Sequence, residues 1–527
     1  MTTSGPHLLF FRLAICVLFA TCVLFAGCLL LHPFTAHAAI KKAEITFDTI
    51  RELAARRAAS AWKAPDTELP SGLAALDHDQ NRKIRFIPEK ALWREENLPF
   101  NLQLFHRTSA QRERITISEF SPTHVQDIPF IREFFDYGDL KNPGWLRSSL
   151  GYAGFRIHYP LNRPEVYDEL LVFLGASYFR ALGAGQIYGI SARGLAIDTG
   201  IIGQTEEFPV FTDFWLGKPK PGAKTLTIHA LLDSRSVAGA CEFIVTPGKP
   251  AGPTIIDVRT ELRFRTAVQL PGIAPLTSMF RFGENTDRPP GELRPEVHDS
   301  DGLLAENKNT RAWRPLSNPR HIVSTDIALD NPVRFGLLQR DRAVSSYEDF
   351  EALYHQRPSV WIEPKGDWGR GKVRLVELPA GDGEADNIVA FWVPETKPLP
   401  GRPVQYSYRM TWALSEPKAA PPLAHVAATR TGTLPGNAQG RLIWVDFAGG
   451  QLEGIEADKI TAKVETSAGG KILDQTLIRH PGLKGWRVAL RIERTPGLAS
   501  DGTIELRCQL LNGYDPLSET WLYSWTP

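Results

Sequence analysis

Punctuation constrains this chain more than anything else in it. Short apolar runs such as LTIHALLD, GKVRLVELP, NIVAFWV and PVQYSYRMTWAL are rich in β-branched and aromatic residues, and each is bounded by Gly, Pro or Asp. The 40 prolines and 43 glycines supply turns throughout. Strands do not alternate regularly with long helices, which excludes a doubly wound parallel sheet. No fixed-period repeat is visible. The pattern predicts an all-β protein with a few short helices. One is predicted from residue 43 onward, where Phe47, Ile50, Leu53, Ala54 and Ala58 follow helical spacing and Asp48 or Thr49 is the N-cap. Two more are predicted at PEVYDELLVF (164–173) and SYEDFEALY (346–354).

A chain of 527 residues is too long for one ordinary core. The stretch 394–422, with ETKPLPGRP and SEPKAAPPLA, marks a boundary. Beyond it GRLIWVDFAGG, ITAKVETSAGG, WRVALRIERT and TIELRCQLL repeat the strand-and-turn pattern. That suits a small antiparallel sandwich of the immunoglobulin kind. Residues 39–400 are therefore expected to form a large two-sheet β-sandwich and residues 401–527 an immunoglobulin-like domain.

Lys+Arg (60) and Asp+Glu (59) nearly cancel, so no basic field is available to hold a nucleic acid. A neutral polar partner suits this balance. The 13 Trp, 12 Tyr and 27 Phe fit such a partner, because aromatic faces stack on sugar rings, although most aromatics build cores. The N-terminus differs from the rest. Arg12 precedes LAICVLFATCVLFAGCLLL and then HPFTAHAA, which reads as a secretory signal peptide (1–38) cut after Ala38. An uncleaved anchor and lipidation at Cys28 are the other readings this stretch permits. With the signal removed, Cys241 and Cys508 remain, which excludes a disulfide framework and a cysteine metal site.

No phosphate loop, HExxH or GxSxG motif is present. The glycine-rich GAGQIYGISARG (183–194) lacks the strand-turn-helix context of a dinucleotide site and reads as a tight turn between strands. Two acidic clusters remain. RPEVHDSDG carries Glu296, His298, Asp299 and Asp301, and ELPAGDGEADN carries Glu377, Asp382, Glu384 and Asp386. Short acids on such loops form turns, bind Ca²⁺ or serve as a catalytic pair. Glycoside cleavage requires one neutral carboxyl to protonate the leaving oxygen and one ionised carboxyl to activate the acceptor.

The strings LGASYFRALGAGQIYGISARGLAIDTG, EEFPVFTDFWL, APLTSMFRFG, RPEVHDSDGL, RPSVWIEPKGDWGRGKVRLVELP and DNIVAFW closely resemble the periplasmic glucans biosynthesis protein G/D (MdoG) family, from about residue 44 to the C-terminus. The resemblance implies a large galactose-mutarotase-like N-terminal β-sandwich, an immunoglobulin-like C-terminal domain and a periplasmic location. It also implies a role in making osmoregulated β-1,2-glucans, as an anomer-inverting hydrolase or transglycosylase. On the same resemblance Asp386 is the general acid, acting through a substrate hydroxyl, and Asp299 is the general base. Tyr354 and Arg357 line the substrate and the proton path. One place departs: relatives often read DETNDN where this chain reads DGEADN, so Gly383 falls on the family's loop Glu and Glu384 stands one residue later. Gly381 and Gly383 are expected to turn the chain sharply, leaving Asp386 at the mouth of the strand that follows.

Trp361, Trp368, Tyr178 and Trp215 are candidates for sugar stacking, and Arg193 and Arg180 for bonding glucosyl hydroxyls. His298 is a candidate to orient Asp299, although a lone His is more commonly structural. No cofactor and no metal are expected. The expected partners are β-1,2-glucan, a membrane glucan synthase and a second copy in a homodimer. A non-catalytic glucan-binding module assisting that synthase is the alternative function.

Overall fold

The computed structural model describes residues 45–527 apart from 141–143, 145, 249–251, 382, 419–421, 500–501 and 527. The signal-peptide reading, the alternatives at Cys28 and the turn acid Asp382 lie outside the described residues. Among the described residues no helix is long and apolar enough to cross a membrane.

Two large sheets, of 10 and 15 strands, carry the architecture. Strand pairing is antiparallel except that Val210–Gly217 runs parallel to Thr116–Ser121, and Arg311–Pro315 parallel to Thr520–Trp525. The sheets close on an aromatic core. Phe155 and Phe179 of the 10-stranded sheet meet Phe214 and Phe243 of the 15-stranded sheet at ring separations of 4.9 and 5.3 Å. The all-β sandwich expected from the strand-and-turn pattern is what the chain forms.

The strand Ile388–Pro394 is buried on both faces. Its period of two sends Ile388, Ala390 and Trp392 into the main core. Val389, Phe391 and Val393 enter a second cluster with Ala196, Leu270 and Val376 on the opposite side. Burial on both sides explains why NIVAFWV is apolar without alternation. It also makes this strand a stiff anchor for the residues before it.

The first helix spans Phe47–Ala58, and its N-cap is Thr46 rather than Asp48 or Thr49: the Thr46 hydroxyl accepts from the Thr49 amide at 3.3 Å. Ile50 and Ala54 pack on Leu231 and Ala240 of the sheet beneath. The other two expected helices do not form. PEVYDELLVF is the turn and second strand of a hairpin, Tyr152–Arg163 with Val166–Leu174. Cross-strand pairing and burial of Leu170, Leu171 and Phe173 override its helical spacing. SYEDFEALY forms only short 3₁₀ turns, at Val344–Ser346 and Tyr354–Gln356.

The C-terminal sandwich sets a 4-stranded sheet against the strands Thr461–Thr466, Ile504–Asn512 and Thr520–Trp525. Its first strand is His425–Leu434. The strand Pro403–Ala413, assigned above to residues 401–527, lies in the 15-stranded sheet between Thr254–Phe264 and Ser359–Lys365. The strand-breaking prolines before it therefore do not mark the change of sandwich. The seam is sealed by charge as well as by strand pairing. Arg340 bonds Glu519 at 2.6 Å and Glu416 at 3.0 Å, and its guanidinium lies 3.6 Å over the Trp313 ring.

Candidate active site

Three consecutive residues, Ser278 to Phe280, hold both acidic clusters. The Asn387 amide donates to the Ser278 carbonyl at 3.0 Å. The Asn387 side chain accepts from the Phe280 amide at 2.8 Å and donates to the Phe280 and Leu378 carbonyls at 3.0 Å each. Between these grips the Met279 carbonyl accepts from the Asp299 amide at 2.8 Å. The Ser278 and Ser300 hydroxyls meet at 2.7 Å. Residues far apart in sequence are thereby set side by side. Asn387 was not singled out from the sequence; an Asn between an acid and a buried strand was its only signal.

Asp386 stands at the strand mouth with its side chain 31% exposed, and its nearest cation is Arg180 at 3.9 Å. Arg180 is itself fixed by Ser191 at 2.7 Å. Burial raises the Asp386 carboxyl above the usual carboxylate range, against the pull of Arg180 and Arg357. Asp299 lies deeper, with its side chain 6% exposed, and Arg357 pairs with its Oδ1. Burial pushes Asp299 up to about 6; Arg357 pulls it down and the Asp386 charge pushes it up. Arg180 and Arg357 thus act on both carboxyls.

Arg357 rests on the Tyr354 ring, 4.2 Å from its centroid, and donates to the Ala352 carbonyl. Room for it comes from the glycine-rich loop 182–190, which joins strands as expected: a Cβ at Gly189 would sit 2.9 Å from the Arg357 Cβ. The Tyr354 hydroxyl donates to Glu384 at 3.0 Å, and Arg294 reaches the other Glu384 oxygen at 3.0 Å. Glu384, one place beyond the expected position, therefore joins the Tyr354–Arg357–Asp299 group. Of the two loop glycines, only Gly381 takes the left-handed conformation, with φ 57°. At Gly383 a Cβ would meet nothing nearer than 3.6 Å.

Tyr178 and Arg193 flank this group. They are register partners on adjacent strands, and the Arg193 guanidinium lies 5.1 Å from the Tyr178 ring. Arg193 is 2% exposed and bonds Glu206 at 2.5 Å, so its guanidinium serves the scaffold. The remaining candidates sit elsewhere. His298 is fully buried, with its nitrogens on Glu296 (2.8 Å) and Gln339 (2.9 Å) and its ring stacked on Phe280, so it does not face a substrate. His298 closes the two-residue strand Val297–His298 and Asp299 follows it in a bend, so these sequence neighbours meet different surroundings. Trp361 belongs to the core between the two sandwiches. Trp368 belongs to the main core, among Phe335, Trp392, Tyr406 and Tyr408. Trp215 packs beneath the first helix. Glu377 is buried against Arg314 at 2.9 Å.

The chain resembles Glucans biosynthesis protein G of Ralstonia nicotianae, at 45% identity over 91% of this chain and 96% of that protein. It is 43% identical to Glucans biosynthesis protein G of Rhodopseudomonas palustris strain BisA53, over 94% of this chain and 96% of that one. Among solved structures, the galactosidase domain of alpha-galactosidase-sucrose kinase AgaSK aligns with 42% of this chain and 29% of its own. That alignment has 10% identity and a TM-score of 0.23. The family model described as "Periplasmic glucan biosynthesis protein, MdoG" matches residues 45–525. The chain, from its first described helix to its last strand, belongs to the MdoG family of periplasmic glucan biosynthesis proteins.

Proposed function

We propose that this protein works in the periplasm on β-1,2-glucan, as an anomer-inverting endo-glucanase or transglycosylase of osmoregulated glucan biosynthesis. The observation that carries the proposal is the convergence of Asp299 and Asp386 on one segment, both raised by burial and both bracketed by Arg180 and Arg357. Asp386, the more exposed, is the acid. It gives its proton through a substrate hydroxyl to the leaving glycosidic oxygen as the bond to the anomeric carbon breaks. Asp299 is the base. Arg357 holds its Oδ1, and Oδ2 takes the proton of the attacking water or sugar hydroxyl. Arg357, propped on Tyr354, keeps Asp299 in place and favours its ionised form. The family name and the names of the relatives support the periplasmic setting and the glucan.

A second reading, a glucan-binding module that assists a membrane synthase without cutting, draws on the low exposure of Asp299. Incubation with linear β-1,2-glucan and mass analysis of the products separates the two. The catalytic reading expects shortened or cyclised chains, and expects Asp386→Asn to lose this activity while still binding. Full activity in Asp386→Asn would remove the acid assignment. Unchanged chains at high protein load would favour the binder.

A further inference from the structure

We propose that Phe208 is a stacking platform for a glucosyl ring of the glucan, on the rim of the site that holds Asp386 and Asp299. The proposal rests on the reading of the site given above and adds a subsite to it. Phe208 is 48% exposed, unusual for a large apolar side chain with no core to fill. It is nevertheless held rigidly. The residues before it are both tied down: Glu206 accepts from Arg193 at 2.5 Å and from Thr199 at 2.7 Å. Glu207 accepts from the Ser236 amide and hydroxyl at 2.8 Å each. The Glu207 amide in turn donates to the Ile197 carbonyl at 3.1 Å. Pro209 stiffens the exit into the strand Val210–Gly217.

The inner face of the ring is occupied. The Arg193 guanidinium lies 4.9 Å from the Phe208 centroid and 5.1 Å from that of Tyr178, a three-tier stack with the cation in the middle. The stack leads to the reacting groups. Tyr178 and Arg180 alternate on one strand and so share a face, one two-residue step of about 6.7 Å apart. Arg180 lies 3.9 Å from Asp386. The ring therefore stands on the rim of the same site, with its outer face in solvent. A rigid, outward aromatic face beside a sugar-cleaving pair suits the apolar face of a pyranose, which stacks with little loss of conformational freedom.

Affinity electrophoresis through gels containing linear β-1,2-glucan reads binding whether or not the chain is cut. Phe208→Ala is expected to weaken retention by about three- to tenfold in apparent Kd. Phe208→Trp is expected to preserve retention, and Ile202→Ala, an exposed apolar residue on the same loop, to leave it at the parent value. Melting temperatures of the variants should match the parent, since neither side chain fills a core. Parent-like retention by Phe208→Ala, or an equal loss in Ile202→Ala, would overturn the platform while leaving the catalytic assignment standing. No retention of the parent protein would overturn both the platform and the β-1,2-glucan assignment.

Discussion

Asp299 and Asp386 are held by one three-residue segment: the Asp299 amide by the Met279 carbonyl, and Asn387, next to Asp386, by Ser278 and Phe280 on either side of it. These hydrogen bonds tie the chain at both positions to the same segment. Its consequences can be measured.

The acid side of the pH profile should report Asp299. On the proposed assignment of Asp299 as the base, its carboxyl, pushed up to about 6, is ionised above that value and protonated below it, so activity should fall as pH drops through about 6. Arg357→Met removes a cation that favours the ionised form. The remaining activity should fall off at a higher pH than in the parent. Initial rates across the pH range check this, and a limb that stays put would contradict the pairing.

Asn387→Ala removes the bonds to Phe280 and Leu378 and leaves buried partners unpaired. The expected loss is about 1–3 kcal/mol of stability, seen as a melting temperature a few degrees lower. Activity should fall further than stability does, because Asp386 loses its register with Asp299.

Gly189→Ala introduces a methyl group 2.9 Å from the Arg357 Cβ and 3.1 Å from its Cδ. Arg357 must give way, and its hold on Asp299 changes. Turnover should drop on the order of ten- to a hundredfold, with a much smaller change in substrate binding. Steady-state kinetics that show only a KM change would argue against this role for the glycine-rich loop.

The departure at residues 383–384 gives a paired experiment. Glu384→Ala leaves the Tyr354 hydroxyl without its acceptor, while Arg294 keeps Glu292 and Asp349, and should lower turnover. Gly383→Glu adds a second loop carboxylate at a position with space for a side chain, so its melting temperature should equal that of the parent.

Stability should fall as pH rises across the seam with the C-terminal sandwich. Burial pushes Glu284, which accepts from the Thr429 amide at 2.7 Å, up to about 8, and Asp341 up to about 7. Asp301, Glu296 and His298 face Asp341 and Arg430 faces both, with the cations opposing the rise. Carboxyls raised on folding contribute stability that is complete below their unfolded values and lost as pH climbs through their folded ones. The melting temperature should therefore decline between about pH 5 and 8. Glu284→Gln should flatten the decline.

Much of this protein was legible in its sequence. Short β-branched and aromatic runs cut by Gly, Pro and Asp determined an all-β chain, because that composition and turn chemistry suit little else. DNIVAFW and HDS pointed to Asp386 and Asp299 through the resemblance to the MdoG family, whereas short carboxyls on such loops by themselves suit a turn, a Ca²⁺ site or a catalytic pair. What the tertiary structure decided was partnership. PEVYDELLVF became a strand because its neighbour and the core beneath it outweighed local spacing. Pro403–Ala413 joined the large sheet because two strands there left a place for it. Trp361, Trp368 and His298 were buried, whereas Phe208 was left facing solvent. Which face of a residue meets water, and which distant backbone holds it, depends on contacts between segments far apart in the chain.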